Sequence, residues 1–428
     1  MPVATGLRAA RSRLAHAFPR RLAAIAALGL ALRLFYVIVL SPDVRPEGDS
    51  DFYYVLGRLI AEGHGFANPV GFKLFGRLEP TALHPPLYPL LLGAIAKAGV
   101  INYYHQRIVV CAVGVPTIAL VGVVGRRVAG ERAGLIAAGI VAVHPMLVTA
   151  DGAIMSEALF GMLTAAVMAA AYALKGKPSV LRAGVLGVLI ALTALTRAEG
   201  LLLLPLVAIP VAVRAGVGWP LRVGVATAAC AVALVPWTVR NADVFDRFVP
   251  ISNNNGSLLV GANCRSTYWG ASLGTWDLFC VPRRAGSNEA ATAAIFRKVG
   301  LDYATDHAGR LPVVLGVRLL RTLGLYNPIG YARFAQGRES VMTGLGLAVF
   351  LLLLPLAVAG AVVLRRRRAS LVIFAGPVVV ALASVLGGYG EPRFREPAEL
   401  SVAILAAVAL DAWWAARAGG RPTQPAPP

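Results

Sequence analysis

Charged residues are scarce in this chain. Lys, Arg, Asp and Glu make up only 14% of its 428 residues, whereas 57% of the residues are hydrophobic. A soluble protein of this length needs more polar surface, because its folded exterior has to be hydrated. The composition therefore excludes an ordinary soluble enzyme and predicts a polytopic membrane protein.

Acidic residues are the rarer charge type, with 21 Asp and Glu against 41 Lys and Arg, and a net charge of +20 could indicate a nucleic-acid partner. The basic residues, however, form short clusters between apolar segments and in one long loop. That pattern is typical of inner-membrane proteins, whose basic loops stay in the cytoplasm. We therefore expect a lipid bilayer, and no nucleic acid, as a partner. The abundance of Arg, Ala, Gly and Val is typical of a high-GC bacterial genome.

Nucleotide-binding and zinc motifs are missing as well. The chain has no P-loop, no nucleophile elbow and no Rossmann glycine pattern after a strand, so nothing predicts a soluble nucleotide sugar as substrate. The histidines show no His-x-x-x-His or carboxylate–histidine spacing that would predict zinc. The sequence predicts no cofactor with certainty, and it leaves open whether the protein needs a divalent metal ion.

The apolar segments predict an all-α fold with about ten transmembrane helices, since each needs about 17 to 25 residues to cross the hydrocarbon. They lie near 22–40, 107–124, 133–149, 157–174, 182–196, 200–213, 222–239, 341–364, 370–386 and 398–416. The first follows an arginine-rich N-terminus and has no small-x-small cleavage site before Ser41. We interpret it as an uncleaved helix with a cytoplasmic N-terminus.

The apolar segment 87–99 decides the topology. If it crossed the membrane, the basic clusters at 126–132, 175–182 and 214–222 would fall outside, whereas an interfacial segment leaves them all inside. The positive-inside rule favours the interfacial helix. Most acidic residues then collect on the extracytoplasmic face, in the loops 41–106 and 240–340 and in short turns.

This topology divides the chain into four parts. We expect an N-terminal transmembrane module over 1–239 that includes the first outer loop 41–106, a small extracytoplasmic cap over 240–340, C-terminal transmembrane helices over 341–416, and a disordered cytoplasmic tail over 417–428. The cap contains Cys264 and Cys280 in an oxidising compartment. They predict a disulfide that closes a loop of about 16 residues and contributes roughly 3 kcal/mol, with two free thiols as the alternative.

Short polar motifs recur in the predicted outer loops. The first loop contains Gly48-Asp49-x-x-x-Tyr53, Glu62-Gly63-His64-Gly65-Phe66 and His84-Pro85-Pro86-Leu87-Tyr88-Pro89. Later turns contain Ser156-Glu157, Arg197-x-Glu199-Gly200 and Gly390-Glu391-Pro392-Arg393-Phe394-Arg395. In this layout the chain resembles the GT-C membrane glycosyltransferases, and in pattern the group of protein O-mannosyltransferases and lipid A aminoarabinose transferases.

The resemblance implies inverting transfer of a sugar from a polyprenyl-phosphate carrier to a lipid, glycan or protein acceptor. Such an attack needs a carboxylate that takes the acceptor's proton and a cation that stabilises the leaving phosphate. Asp49 matches the family's loop best and is the first candidate for the base, and Asp51 is the second. The alternative roles are helix capping for Asp49 and a favourable helix-dipole position for Asp51.

Candidate phosphate ligands are Arg393 and Arg395, because a guanidinium suits phosphate oxygens; ordinary interfacial anchoring is the alternative. Lys73 and Arg77 in the first loop could serve the same role or simply be solvated. His84, like Tyr53, is a candidate for contacting the sugar or phosphate, although a lone histidine is more often structural.

Asp151 and Glu157 are costly near the bilayer unless they are paired or face a cavity. They could bind acceptor hydroxyls or, with Asp49, hold a divalent metal ion. The alternative is an ion pair with Arg197, with Glu199 as a third member.

The preferred hypothesis is an integral membrane glycosyltransferase in the bacterial plasma membrane, with its active site on the extracytoplasmic side. A transporter or flippase of a lipid-linked sugar is the first alternative, but no repeated halves and no acidic residue at the centre of a span support it. A noncatalytic membrane scaffold is the second.

Overall fold

The computed structural model describes residues 3–283, 285–333 and 338–418. Helices account for 77% of the chain, and no β-strand occurs within these ranges. The predicted all-α fold is confirmed. Most of the predicted tail, from residue 419 onward, lies outside the described residues.

The described residues form twenty α-helices. In chain order they are α1 (Val3–Phe35), α2 (Asp49–Ala61), α3 (Pro69–Phe75), α4 (Leu87–Lys97), α5 (Tyr103–Val110), α6 (Gly114–Ala129), α7 (Glu131–Val143), α8 (Pro145–Asp151), α9 (Glu157–Gly176), α10 (Val180–Ala194), α11 (Ile209–Arg214), α12 (Trp219–Phe245), α13 (Asn254–Ala262), α14 (Arg265–Tyr268), α15 (Glu289–Asp306), α16 (Leu311–Thr322), α17 (Pro328–Arg333), α18 (Ser340–Arg366), α19 (Val372–Gly387) and α20 (Glu396–Arg417).

Six helical segments of the described chain are long and apolar enough to cross a membrane. They are Ala17–Leu40, Tyr103–Ala129, Glu157–Gly176, Trp219–Phe245, Ser340–Arg366 and Pro392–Arg417. The pair α7 and α8, bent by 62°, would be a seventh span. The chain is therefore a multi-pass membrane protein, in agreement with the composition.

The predicted count of ten spans is not confirmed. Two of the remaining proposals are helices of only 15 and 16 residues, α10 and α19. The third, 200–213, is broken into a 3-10 turn, a π turn and the short α11. Prolines at 205 and 210 explain that break, because proline has no N–H to donate and clashes with the preceding turn.

The membrane helices pack closely around one large apolar core. Helices α6 and α7 form a hairpin, and α18 lies along α20. At the hairpin, a Cβ atom on Gly134 would lie only 2.6 Å from the carbonyl oxygen of Gly122. Small residues at such contacts let helix backbones approach each other, which is how helices associate within lipid.

The predicted first loop contains helices α2 to α4, and the predicted cap contains α13 to α17. Helix α4 packs against α2, and its 11 residues span only about 16 Å, too short to cross a bilayer. In the cap, α13 packs against α15, and a disulfide joins Cys264 to Cys280. Residues of both regions line the candidate site.

Candidate active site

A cavity of about 370 Å³ lies between the first loop, the turn after α10, the cap and the turn before α20. With the turn before α9 that carries Ser156, five separate parts of the sequence therefore meet in one space. The polar and aromatic residues of its lining are Asp49, Tyr53, His84, Ser156, Thr196, Arg197, Glu199, Ser252, Asn254, Asn255, Ser257, Trp276, Ser384, Tyr389, Arg393 and Phe394.

Helix α2 presents Asp49 to the cavity. The residue before it, Gly48, has φ 54° and ψ −125°, a conformation that glycine adopts without the steric cost of a Cβ atom. Asp49 is the first helical residue rather than the cap, and its carboxylate accepts a hydrogen bond from Arg393. The capping role considered for Asp49 is therefore not what the structure has.

Arg393 lies in the 3-10 turn Pro392–Arg395, directly before α20. Its Nη1 is 3.1 Å from Oδ2 of Asp49, although the two residues are 344 positions apart. Nε donates to Glu391 at 3.0 Å and Nη2 donates to the hydroxyl of Tyr389 at 2.9 Å. The guanidinium thus joins the last turn of the chain to the first loop.

Asp49 is ionised in this setting. Its position at the cavity wall disfavours the charged form, but Arg393 and then His84 outweigh this and hold the pKa of the carboxyl below 3.8. His84 lies with Nε2 3.9 Å from Oδ1 of Asp49. Burial lowers the pKa of His84 below 6.5 despite the nearby carboxylate, so the imidazole is neutral at pH 7.

The side chain of Tyr53 contacts the imidazole of His84. Its hydroxyl is 3.2 Å from Nδ1 of His84 and donates to Oγ of Ser156 at 3.3 Å. Burial, and then the charge of Asp49, raise the pKa of Tyr53 well above its usual range. The phenol therefore stays protonated and acts as a hydrogen-bonding group.

Arg197 is a second guanidinium of the cavity. Nη1 donates to Glu157 at 3.0 Å and Nε donates to Glu199 at 2.7 Å, so the ion pair considered for Glu157 is present, with Glu199 as its third member. Burial alone would lower the pKa of Arg197, but Glu199 and then Glu157 raise it, and the group stays charged. Among the described residues no side chain or carbonyl accepts from Nη2.

Sequence reasoning proposed Arg197 only as an ion-pair partner. The available signal was its motif, Arg-x-Glu-Gly, at a turn between two apolar segments. A charged residue at such a turn is common, so the motif alone did not distinguish a cavity residue from an interfacial anchor.

Four other predicted residues lie outside the cavity lining. Asp51 pairs with Lys73 at 2.8 Å, and Arg77 lies 4.0 Å from Glu79. Arg395 is buried and donates to Glu399 at 2.8 Å. The structure therefore does not bring Asp51, Lys73, Arg77 or Arg395 to the candidate site.

Asp151 is also separate from the site. Its carboxylate accepts from Nε of buried Arg33 at 2.6 Å, so its partner is not Arg197. Of the carboxylates suggested for a shared metal ion, Asp151 pairs with Arg33, whereas Asp49 and Glu157 both pair with Arg393, at 3.1 and 3.8 Å. Glu157 also pairs with Arg197. Among the described residues, no three His, Cys, Asp or Glu side chains form a group that could hold a metal ion.

No protein-family model and no curated protein sequence matches this chain. Solved structures do match it. The archaeal oligosaccharyltransferase AglB from Archaeoglobus fulgidus, in complex with an inhibitory peptide and a dolichol-phosphate, aligns over 94% of the chain with a TM-score of 0.55 and 15% identity. The Archaeoglobus fulgidus oligosaccharyltransferase in the apo form aligns over 95%, with a TM-score of 0.56 and 16% identity.

The chain has a GT-C fold. It covers 52% of the archaeal oligosaccharyltransferase, and so spans about half the length of that protein. ArnT from Cupriavidus metallidurans, bound to undecaprenyl phosphate, aligns over 90% of this chain and 77% of its own, with a TM-score of 0.43 and 17% identity. The predicted GT-C fold is confirmed, and the two oligosaccharyltransferase structures support it.

Proposed function

We propose that this protein is a membrane glycosyltransferase that transfers a sugar from a polyprenyl-phosphate donor to a hydroxyl acceptor. One observation carries the proposal: Asp49 and Arg393 are 3.1 Å apart at the wall of a cavity, in a chain with a GT-C fold. A carboxylate and a cation side by side are the two groups that an inverting transfer from a phosphate carrier requires.

In the proposed reaction the acceptor oxygen attacks the anomeric carbon of the sugar. The bond from that carbon to the phosphate oxygen breaks, and its electron pair leaves with the lipid phosphate. Asp49 takes the acceptor proton, since its lowered pKa keeps it ionised at neutral pH. Attack opposite the leaving group inverts the anomeric centre.

Arg197 and Arg393 take different roles in this proposal. All three nitrogens of Arg393 already donate to Asp49, Glu391 and Tyr389, so it orients the base and supplies positive charge. The Nη2 group of Arg197 faces no protein acceptor among the described residues. Arg197 is therefore the residue we expect to contact the phosphate directly.

The membrane-spanning helices suit a polyprenyl carrier, because its lipid tail is apolar. AglB, which shares the fold, was solved with dolichol-phosphate. We propose the same class of carrier here, with a lipid, glycan or protein acceptor on the extracytoplasmic face of the bacterial plasma membrane.

The test is reconstitution of the full chain with labelled polyprenyl-phosphate sugars. We expect transfer by the wild type, a loss of about 10²- to 10⁴-fold in Asp49→Asn, and a change within about twofold in the matched control Asp51→Asn. Full transfer by Asp49→Asn would reject this residue as the base. Movement of the lipid-linked sugar across the bilayer without transfer would favour the flippase instead.

The orientation is tested separately by labelling engineered cysteines with an impermeant reagent. Ile101 and Arg127 are exposed residues at opposite ends of the span Tyr103–Ala129, and the four native cysteines are buried or disulfide-bonded. We expect Ile101→Cys to be labelled from outside and Arg127→Cys to react only after permeabilisation. The opposite result would reverse the proposed topology.

A further inference from the structure

The cavity has a second wall with a different chemistry. Besides the charged residues of the first loop and the last turn, the lining contains neutral groups that the cap contributes. We call this set the cap wall; its members are Ser252, Asn254, Asn255, Ser257 and Trp276. None of these side chains titrates near neutral pH, so none can act as a base or neutralise a phosphate.

The amide groups of the cap wall keep hydrogen-bonding capacity. Within the described residues, the Asn255 side chain makes no hydrogen bond, and Asn254 uses only its Oδ1, which accepts from Ser257 Oγ at 3.0 Å. An asparagine amide offers two donors and a carbonyl acceptor. Such groups match vicinal hydroxyls, each of which both donates and accepts.

Trp276 is held rigidly in the cap wall. Its Nε1 donates to the carbonyl oxygen of Ser257 at 2.9 Å, and the ring lies so close to Gly261 that a Cβ there would come within 2.1 Å of Nε1. The disulfide between Cys264 and Cys280 closes the loop that carries Trp276. A fixed aromatic surface beside free amides is a common composition of a small-molecule site.

Hydrogen bonds also fix the cap wall relative to the first loop. Glu289 at the start of α15 accepts from Oγ1 of Thr81 at 2.6 Å and from the backbone N–H of Ala82 at 2.8 Å. The backbone N–H of Asn253, next to the wall, donates to the carbonyl oxygen of Ala82 at 2.8 Å. The cap wall is thereby attached to the first loop at Ala82, two positions before His84 in the chain.

We propose that the cap wall is a carbohydrate subsite. The amides of Asn254 and Asn255 bind hydroxyl groups of a sugar ring, and the indole of Trp276 covers its apolar face. This inference rests on the proposed glycosyltransferase function and deepens it. Asp49 takes the proton and Arg197 binds the phosphate, whereas the cap wall selects the sugar. The ring belongs either to the donor or to a glycan acceptor.

Binding measurements test the subsite without requiring turnover. In the Asp49→Asn background, we would compare the affinity for a polyprenyl-phosphate sugar with that for the sugar-free polyprenyl phosphate. If the donor sugar occupies the cap wall, Asn254→Ala with Asn255→Ala lowers the first affinity about tenfold or more and leaves the second within about twofold. Trp276→Leu should also lower the affinity for the polyprenyl-phosphate sugar and leave that for the sugar-free polyprenyl phosphate unchanged.

Trp269→Leu is the matched control. Trp269 belongs to the same disulfide-closed loop but packs on Tyr268 and His307 and does not line the cavity. We expect it to leave both affinities unchanged. Because Asn255 is exposed, the single variant Asn255→Ala keeps the test valid if the bulkier changes impair folding.

A second arm locates the sugar if donor binding does not change. In the Asp49-containing enzyme, a rise in the KM for a glycan acceptor in the same cap variants, with an unchanged KM for the donor, assigns the subsite to the acceptor. Unchanged donor affinity together with an unchanged acceptor KM would overturn the proposal. That outcome differs from failure of the proposed function, in which the wild type transfers no sugar at all.

Discussion

The turn Pro392–Arg395 directs its two arginines into different surroundings. Arg393 contacts Asp49 and lines the cavity. Arg395 instead donates to buried Glu399 and to the carbonyl oxygen of Thr322, and its guanidinium lies 3.8 Å from the centre of the Phe350 ring. With three residues per turn, side chains two positions apart in a 3-10 helix point about 120° apart. Only one of the two can face the cavity.

Helix geometry also separates the two carboxylates of α2. Asp49 faces Arg393, whereas Asp51 faces Lys73 outside the cavity. Residues two positions apart on an α-helix point about 160° apart, on nearly opposite faces. Arg393 and Asp49 thus belong to the candidate site, whereas Arg395 and Asp51 form ion pairs outside it. Substitution of the site residue should therefore lower mainly the rate of transfer, and substitution of its neighbour should lower mainly the stability.

The largest difference is expected between Arg393→Gln and Arg395→Gln. Loss of Arg393 removes the partner of Asp49 and positive charge from the cavity, so we expect transfer to fall about 10²-fold. Loss of Arg395 leaves Glu399 buried without its guanidinium, so we expect a loss of about 3–5 kcal/mol in the free energy of unfolding. Thermal stability in detergent and transfer per folded molecule measure the two effects. If both variants lost transfer per folded molecule equally, Arg393 and Arg395 would not differ in their roles as proposed.

The pH dependence should follow His84 and Asp49 in the cavity. His84 has a pKa lowered below 6.5, so its stabilising contribution is complete above pH 6.5 and decreases as the pH falls below that value. The contribution of Asp49 is complete above pH 3.8 and is lost as the pH falls through its lowered pKa.

Transfer should therefore be independent of pH near neutrality and decrease in acid below pH 6.5, because an imidazolium 3.9 Å from Asp49 weakens it as a base. A profile of kcat/KM against pH measures this, and His84→Gln should remove the decrease. A decrease that persists in this variant would assign it to another group.

The smallest effect is expected at Asp51 and Lys73. Their ion pair of 2.8 Å is partly exposed, with 50% of the Lys73 side chain accessible, so its strength is limited by solvent and salt. We expect Lys73→Met to change the free energy of unfolding by no more than about 1 kcal/mol and transfer by no more than about twofold. A severe loss of transfer would return Lys73 to the list of phosphate ligands.

Much of the site was visible in the sequence because it is local. The motif around Asp49, the His84-Pro85-Pro86 motif and the turn with Arg393 are short segments between apolar spans, and their chemistry could be named before their positions were known. The membrane class followed from composition, and most spans followed from segment length. The count of ten did not, since prolines break the segment 200–213 and the helices α10 and α19 are only 15 and 16 residues long.

The sequence by itself determined a helical membrane protein and proposed a carboxylate in its first loop as the base. Only the tertiary structure decided which charges meet. Asp151 pairs with Arg33 across 118 positions, Glu157 and Glu199 share Arg197, and Asp49 receives Arg393 from the far end of the chain. The physical reason is that motifs report residue type and spacing, whereas ion pairs depend on helix rotation and packing, which bring together residues that the chain separates.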